Sequence, residues 1–280
     1  MGAGRMAAAA PEPEVMPESP QTPVEREARA EIVRRLETIE AEEGIEVLFA
    51  VESGSRAWGF PSPDSDYDGR FVYRHPRDWY LSVLEARDVI ERPILDDYDV
   101  NGWDLRKALR LLLKSNPPLY EWLRSPVVYR ERDGFRAALR ALAEANYSLR
   151  TVGHHCRHTA QLHFGGKPGP ATRKRLLYCL RALLSLAWLR QRGSLPPMNV
   201  TELQAGLELP SGFRDALGAL VAEKARAPEK GEARAAPLLE SWIGGELEAA
   251  PAACDALPVR KPDLASVDAF FRAWAGFIKT

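Results

Sequence analysis

The chain has 280 residues, 45% of them hydrophobic and 28% charged, with 38 Lys and Arg against 39 Asp and Glu and a net charge of -1. That balance excludes a globally basic nucleic-acid binder, and the length accommodates two domains or one large domain with additions. Three scattered cysteines (Cys156, Cys179, Cys254) without a Cys-x-x-Cys exclude a disulfide framework and a structural zinc site. Together with the lack of a signal-peptide core and of any apolar run near 18 residues, about the length of a membrane span, they predict a cytoplasmic, non-membrane protein.

Residues 1–23 are mostly Ala, Pro and Glu and read as a disordered tail, because such a segment buries too little to offset its ordering entropy. A helix is expected over 24–43, where Ile32, Val33, Leu36 and Ile39 recur at helical spacing, and Gly44 supplies its stop. Residues 45–51 are rich in β-formers and read as a strand that runs into a Gly54-Ser55 turn. After a loop, a second strand opens on Asp66-Tyr67-Asp68 and continues through Phe71-Val72-Tyr73. A short helix from Pro76, a strand near 88–92 and another over 96–103 follow.

Asp104 reads as the N-cap of a helix whose core face is Leu105, Ala108, Leu109, Leu112 and Leu113. A further helical turn at 119–123 is closed by Ser125-Pro126. From Phe135 onward periodic helices dominate, no strand stands out, and 165–170 and 193–197 are linkers. The expected organisation is a tail over 1–23, an α/β (α+β) domain with a mixed sheet flanked by helices over 24–130, and an all-helical domain over 131–280.

Residues i and i+2 of a strand share a face, so Asp66 and Asp68 are expected side by side next to the Gly54-Ser55 backbone. Paired carboxylates suit a hard divalent cation, and a Gly-rich turn lets backbone N–H groups approach phosphate closely. The Ser55 hydroxyl is placed to add a bond to terminal phosphates. A third carboxylate has two candidates. Asp99 lies within a strand between apolar neighbours and is favoured; Asp104 is better explained as a helix cap.

Arg56 either touches phosphate or caps the loop, and Trp58 and Phe60 read as packing aromatics. Lys174, Tyr178 and Arg181 share one face of a basic helix, which is either solvated or closes over a triphosphate, and which could steer an RNA by phosphate contacts. His154 and His158 have i, i+4 ligand spacing but no accompanying Glu, and read as structural or substrate-facing.

Gly54-Ser55, a ten-residue gap and Asp66-Tyr67-Asp68 resemble the signature of the DNA polymerase β nucleotidyltransferase superfamily. More narrowly, Gly-Ser-Arg-Ala-Trp-Gly-Phe at 54–60, Ser-Asp-Tyr-Asp at 65–68, Asn-Gly-Trp-Asp-Leu-Arg-Lys-Ala-Leu at 101–109, and the stretches 114–123 and 173–184 are similar to the RNA-repair-associated, RlaP-like family of predicted nucleotidyltransferases. The likeness runs over about 45–200. It implies a minimal nucleotidyltransferase fold and transfer of an NMP from an NTP to a hydroxyl acceptor, RNA among the candidates, with two Mg²⁺ (or Mn²⁺) and release of pyrophosphate.

On that resemblance Asp66, Asp68 and Asp99 hold the metal, with Asp104 as the alternative third carboxylate. Gly54, Ser55, Arg56, Lys174, Tyr178 and Arg181 hold the nucleotide. Nucleotidylation of a protein, or a non-catalytic nucleotide- or RNA-binding module, are the competing readings. Gly69 departs from the pattern, since the superfamily usually carries an apolar residue there.

Overall fold

A computed structural model describes residues 24–132, 134–164, 172–228 and 235–276. The tail expected over 1–23 and the linker expected over 165–170 lie outside the described residues. Among those described, no helix is long and apolar enough to cross a membrane.

The first helix, α1 (Arg26–Glu43), buries Ala28, Ile32, Leu36 and Ile39 along one stripe. It stops at Gly44, whose left-handed backbone (φ 61°) returns its N–H to the Glu40 carbonyl, as the sequence predicts. Then come β1 (Glu46–Glu52), the short helix α2 (Gly54–Trp58), β2 (Tyr67–Arg74), a 3₁₀ turn (Arg77–Leu81), β3 (Val89–Glu91) and β4 (Tyr98–Asp104). Helices α3 (Leu105–Leu113) and α4 (Pro117–Leu123) lead to β5 (Val128–Glu131).

The strands form one mixed sheet in the order β3-β4-β2-β1-β5, with β2 and β4 parallel and the other pairs antiparallel. One local expectation needs correction, and one strand was not foreseen. The stretch expected as a Gly-Ser turn is one helical turn, closed when Gly59 (φ 89°) donates back to the Ser55 and Arg56 carbonyls. The segment after Ser125-Pro126, to which the sequence assigns no element, is a short strand that pairs antiparallel with the edge of β1 away from β2.

Side-chain alternation gives the sheet two different faces. Phe71 and Tyr73 of β2 join Val47, Val100 and the α1 stripe in one cluster. Gly69 belongs to that face, where Ile32 and Val100 fill the space a side chain would take. Val72, with Leu48, Phe49 and Val51 of β1, points the other way, onto α3 and α4.

The rest is helical: α5 (Phe135–Asn146), α6 (Leu149–Phe164), α7 (Arg173–Arg192), α8 (Val200–Ala205), α9 (Phe213–Lys224), α10 (Pro237–Ala256) and α11 (Leu264–Trp274). The cluster under β1 continues without a break into α5, α6, α7, α10 and α11. Phe135, for example, meets Phe49 of β1 and Trp274 of α11. Helix α7 is buried on nearly every side from Leu176 to Leu189, which makes it the axis of the helical part.

Candidate active site

The parallel register of β2 on β4 sets Asp68 directly opposite Asp99. Both point to the face away from α1, and Arg70, two residues along β2, lies between them. Its Nη2 donates to Asp68 Oδ1 at 2.8 Å and to Asp99 Oδ2 at 2.6 Å, and its Nη1 donates to the Asp99 carbonyl at 2.6 Å. Asn101 Nδ2 donates to the other oxygen of Asp99 at 2.5 Å.

Asp66 stands one residue before β2, close enough for its charge to act on Asp68. Burial is the main force raising the Asp68 carboxyl above its ordinary range; Arg70 and Lys174 oppose it, while Asp99 and Asp66 add to it. Asp104 is taken elsewhere. It is fully buried, caps α3 by accepting from Arg106 N at 2.7 Å, and accepts from Tyr80 Oη at 2.7 Å.

The backbone beneath Asp68 is held tightly. Ser53 N donates to the Asp68 carbonyl at 2.9 Å, and Asp68 N donates to Glu52 Oε1 at 3.0 Å. Glu52 is fully buried and also accepts from Tyr129 Oη; desolvation pushes its carboxyl up to about 7. Gly54 (φ 61°) lets Asp68 lean onto the start of α2: a Cβ there would lie 1.9 Å from Asp68 Oδ2. Only glycine combines that backbone with that approach.

The loop from α2 to β2 is closed on itself. The Ser55 hydroxyl is buried and donates to Ser65 Oγ at 3.1 Å, and Ser62 N donates to the same oxygen at 2.9 Å. Arg56 donates to the Ser65 carbonyl at 2.8 Å and to the Asp66 carbonyl at 3.3 Å, with its guanidinium 4.0 Å from the Tyr67 ring centroid. From the helical part, buried Lys224 donates to the Phe60 carbonyl at 2.8 Å.

At the far end of α2, Trp58 borders a cavity of about 270 Å³ whose walls include Glu121, His155, Tyr178, Arg181 and Pro197. Arg181 is a structural wall: it donates to Glu121 Oε1 at 2.9 Å and to the Met198 carbonyl at 3.1 Å, and it lies 4.4 Å from the Trp58 ring. Trp58 Nε1 donates to the second oxygen of Glu121 at 3.2 Å. Tyr178 meets Trp58 edge-on with centroids 4.9 Å apart, and Phe60 is buried behind them. One turn earlier on α7, Lys174 is near enough to Asp68 for its charge to be felt there. The face shared by Lys174, Tyr178 and Arg181 therefore runs from the carboxylates to the cavity.

The histidines of α6 diverge. His154 approaches Asp255 at 3.8 Å, whereas His155 lines the cavity, where burial pulls it below its ordinary value. Among the described residues no three His, Cys, Asp or Glu side chains form a ready-made metal cluster. Asp68 and Asp99 do converge as a pair with Asp66 alongside. A pair of carboxylates fits Mg²⁺, which is commonly held by one or two carboxylates and keeps waters and phosphate oxygens for its remaining positions.

Sequence reasoning passed over Arg70 and Asn101, although each lies two residues beyond a singled-out aspartate on a strand. Glu52 and Glu121 also went unnoticed, the first as the polar end of an apolar run. Lys224 had no local signal.

The family model described as RlaP, RNA repair pathway DNA polymerase beta family, matches residues 28–273. The uncharacterized protein YcgL of Bacillus subtilis (strain 168) is 39% identical over 239 residues, spanning 84% of this chain and 91% of the relative. A crystal structure of a nucleotidyltransferase-like protein from Exiguobacterium sibiricum 255-15 aligns with 89% of this chain and 81% of its own, at 14% identity and a TM-score of 0.30.

Proposed function

The chain belongs to the RlaP family, the RNA repair pathway DNA polymerase beta family, and from that premise we propose that it transfers an NMP from an NTP to a hydroxyl acceptor. The observation that carries the reading is the register of Asp68 against Asp99 beside the bare backbone of Gly54.

In this reading Asp66, Asp68 and Asp99 hold Mg²⁺, or Mn²⁺ in its place. Such an ion supplies neutralisation of the phosphate oxygens and eases deprotonation of the acceptor hydroxyl. Gly54 and Ser55 offer backbone N–H groups to the β- and γ-phosphates, and Arg56 keeps their loop closed. Lys174 brings positive charge from α7 to the triphosphate. Trp58, Tyr178 and Arg181 form the wall against which the nucleoside lies, in a cavity with the mostly apolar lining and few polar groups expected of a ligand site.

The acceptor oxygen attacks the α-phosphorus in line as Asp99 draws off its proton. The new P–O bond forms as the bond to the β-phosphate bridging oxygen breaks, and pyrophosphate leaves. The family description points to RNA as the acceptor. Incubation with each α-labelled NTP and Mg²⁺, with RNA and protein offered in separate pools, tests this. Label in RNA with matching pyrophosphate is expected. Label in protein instead would move the acceptor to a protein, and NTP binding without pyrophosphate release across both pools would overturn the enzymatic reading.

A further inference from the structure

Three oxygens of the Asp68–Asp99 pair accept hydrogen bonds from neighbouring side chains, and the fourth lies against the Gly54 backbone. Asp68 Oδ2 leans on Gly54 and Asp99 Oδ1 accepts from Asn101, while the two inward oxygens, Asp68 Oδ1 and Asp99 Oδ2, share a single nitrogen of Arg70. Arg70 is anchored by its other nitrogen to the carbonyls of Asp99 (2.6 Å) and Gly69 (3.1 Å), and its side chain is 17% exposed. The guanidinium is thus wedged between the two carboxylates.

A divalent cation that bridges Asp68 and Asp99 needs the same lone pairs. It would also bring like charge against the guanidinium in a partly dry site, where such repulsion is screened little. The backbone at Arg70 is fixed within the sheet, but the long side chain can leave by rotating, provided that its charge finds another partner. A triphosphate is such a partner, because planar guanidinium groups pair with phosphate oxygens through two parallel bonds.

We propose that Arg70 is a resident counter-ion of the Asp68–Asp99 pair that holds divalent cations off until a nucleoside triphosphate draws it away, so that metal and nucleotide bind interdependently. This rests on the proposed function of the same carboxylates. Reciprocity follows from linkage: whatever factor the nucleotide adds to metal affinity, the metal adds to nucleotide affinity.

The test is a Mn²⁺ titration of the full chain followed by electron paramagnetic resonance, with and without a non-hydrolysable NTP analogue, with folding checked by circular dichroism. Without nucleotide, Arg70→Gln should bind Mn²⁺ about tenfold more tightly than the wild type, a typical size for coupling between sites. The analogue should tighten the wild type by a similar factor and leave Arg70→Gln nearly unchanged. Arg70→Ala replaces Arg70→Gln if the latter does not fold. Equal or weaker Mn²⁺ binding by the folded variant would overturn the inference. Asp68→Asn separates the two levels. If it abolishes Mn²⁺ binding while Arg70→Gln behaves as wild type, only the role of Arg70 falls. If it binds Mn²⁺ as the wild type does, or if no protein binds Mn²⁺ at all, the reading of the carboxylates falls as well.

Discussion

Asp68 and Asp99 occupy the same register position on neighbouring parallel strands, and one nitrogen of Arg70 lies within 2.8 Å of both. Their spacing is set by the β2–β4 hydrogen-bond ladder rather than by a loop. Sites carried on regular elements hold their geometry more closely than sites on loops.

Asp104, although it ends the same strand as Asp99, has a different duty, and substitution should separate the two. Asp104→Ala removes the α3 cap and takes away the acceptor of the buried Tyr80 hydroxyl, which still accepts from His75 N. A loss of about 2 kcal/mol is expected, from a missing cap and a buried hydroxyl that loses its acceptor. Urea denaturation should report that loss, while transfer activity per folded molecule stays within about threefold of wild type, the equivalent of less than 1 kcal/mol in the barrier.

Gly54→Ala attacks the contact between α2 and Asp68. The new methyl carbon would meet Asp68 Oδ2 at 1.9 Å, and the positive φ adds strain of about 1–2 kcal/mol for a non-glycine residue. Asp68 must shift, and small misplacements of reacting groups cost rate steeply. A fall in kcat of about 100-fold is expected, alongside a stability loss of at least about 1–2 kcal/mol from the strained backbone. Unchanged kcat would mean that the approach of Asp68 to Gly54 has no functional weight.

Glu52 makes stability pH-dependent. Tyr129 on β5, Asp68 on β2 and Arg56 on α2 are the groups acting on it, but burial dominates, raising its carboxyl from 4.5 to about 7. Between those values the folded protein keeps a proton that the unfolded chain has released. This contribution therefore lowers stability as pH rises from about 4.5 to about 7, by about 3 kcal/mol in all, and is level beyond. Glu52→Gln should match the wild type near pH 4.5 and become progressively more stable than it up to pH 7, in metal-free denaturation curves. A gap that does not change with pH would contradict the assignment.

Lys224 pins the loop between α2 and β2 from the helical part of the molecule. Lys224→Met keeps the length but leaves the buried Phe60 carbonyl without its donor, at a cost of about 1–3 kcal/mol. Limited proteolysis should then cut first within residues 60–66. An unchanged pattern with a lowered melting temperature would show that Lys224 supports packing alone.

Much of this arrangement was legible in the sequence, and the exceptions have physical reasons. The strands carrying Asp68 and Asp99 declare themselves through β-branched and aromatic runs, and Asp104 through its position before an amphipathic helix. Helix α2, at five residues, and β5, at four, are too short for any periodicity to register. Arg70 could have been found, since alternation alone places it beside Asp68. Lys224 could not: its partner lies 164 residues away, and nothing local marks a lysine that will be buried. The cavity likewise exists only once α2, α4, α6 and α7 are packed together.

The central claim is that the Asp68–Asp99 pair moves a nucleotide. Its most direct test is transfer of label from an α-labelled NTP to RNA by the wild type and by Asp68→Asn, Asp99→Asn and the double variant, each shown to be folded. The account predicts losses of at least about 100-fold for each single variant, the scale seen when a group stabilising transition-state charge is removed, and a double variant hardly worse than either, because the two carboxylates act as one unit. Transfer at the wild-type rate by the folded double variant would contradict it.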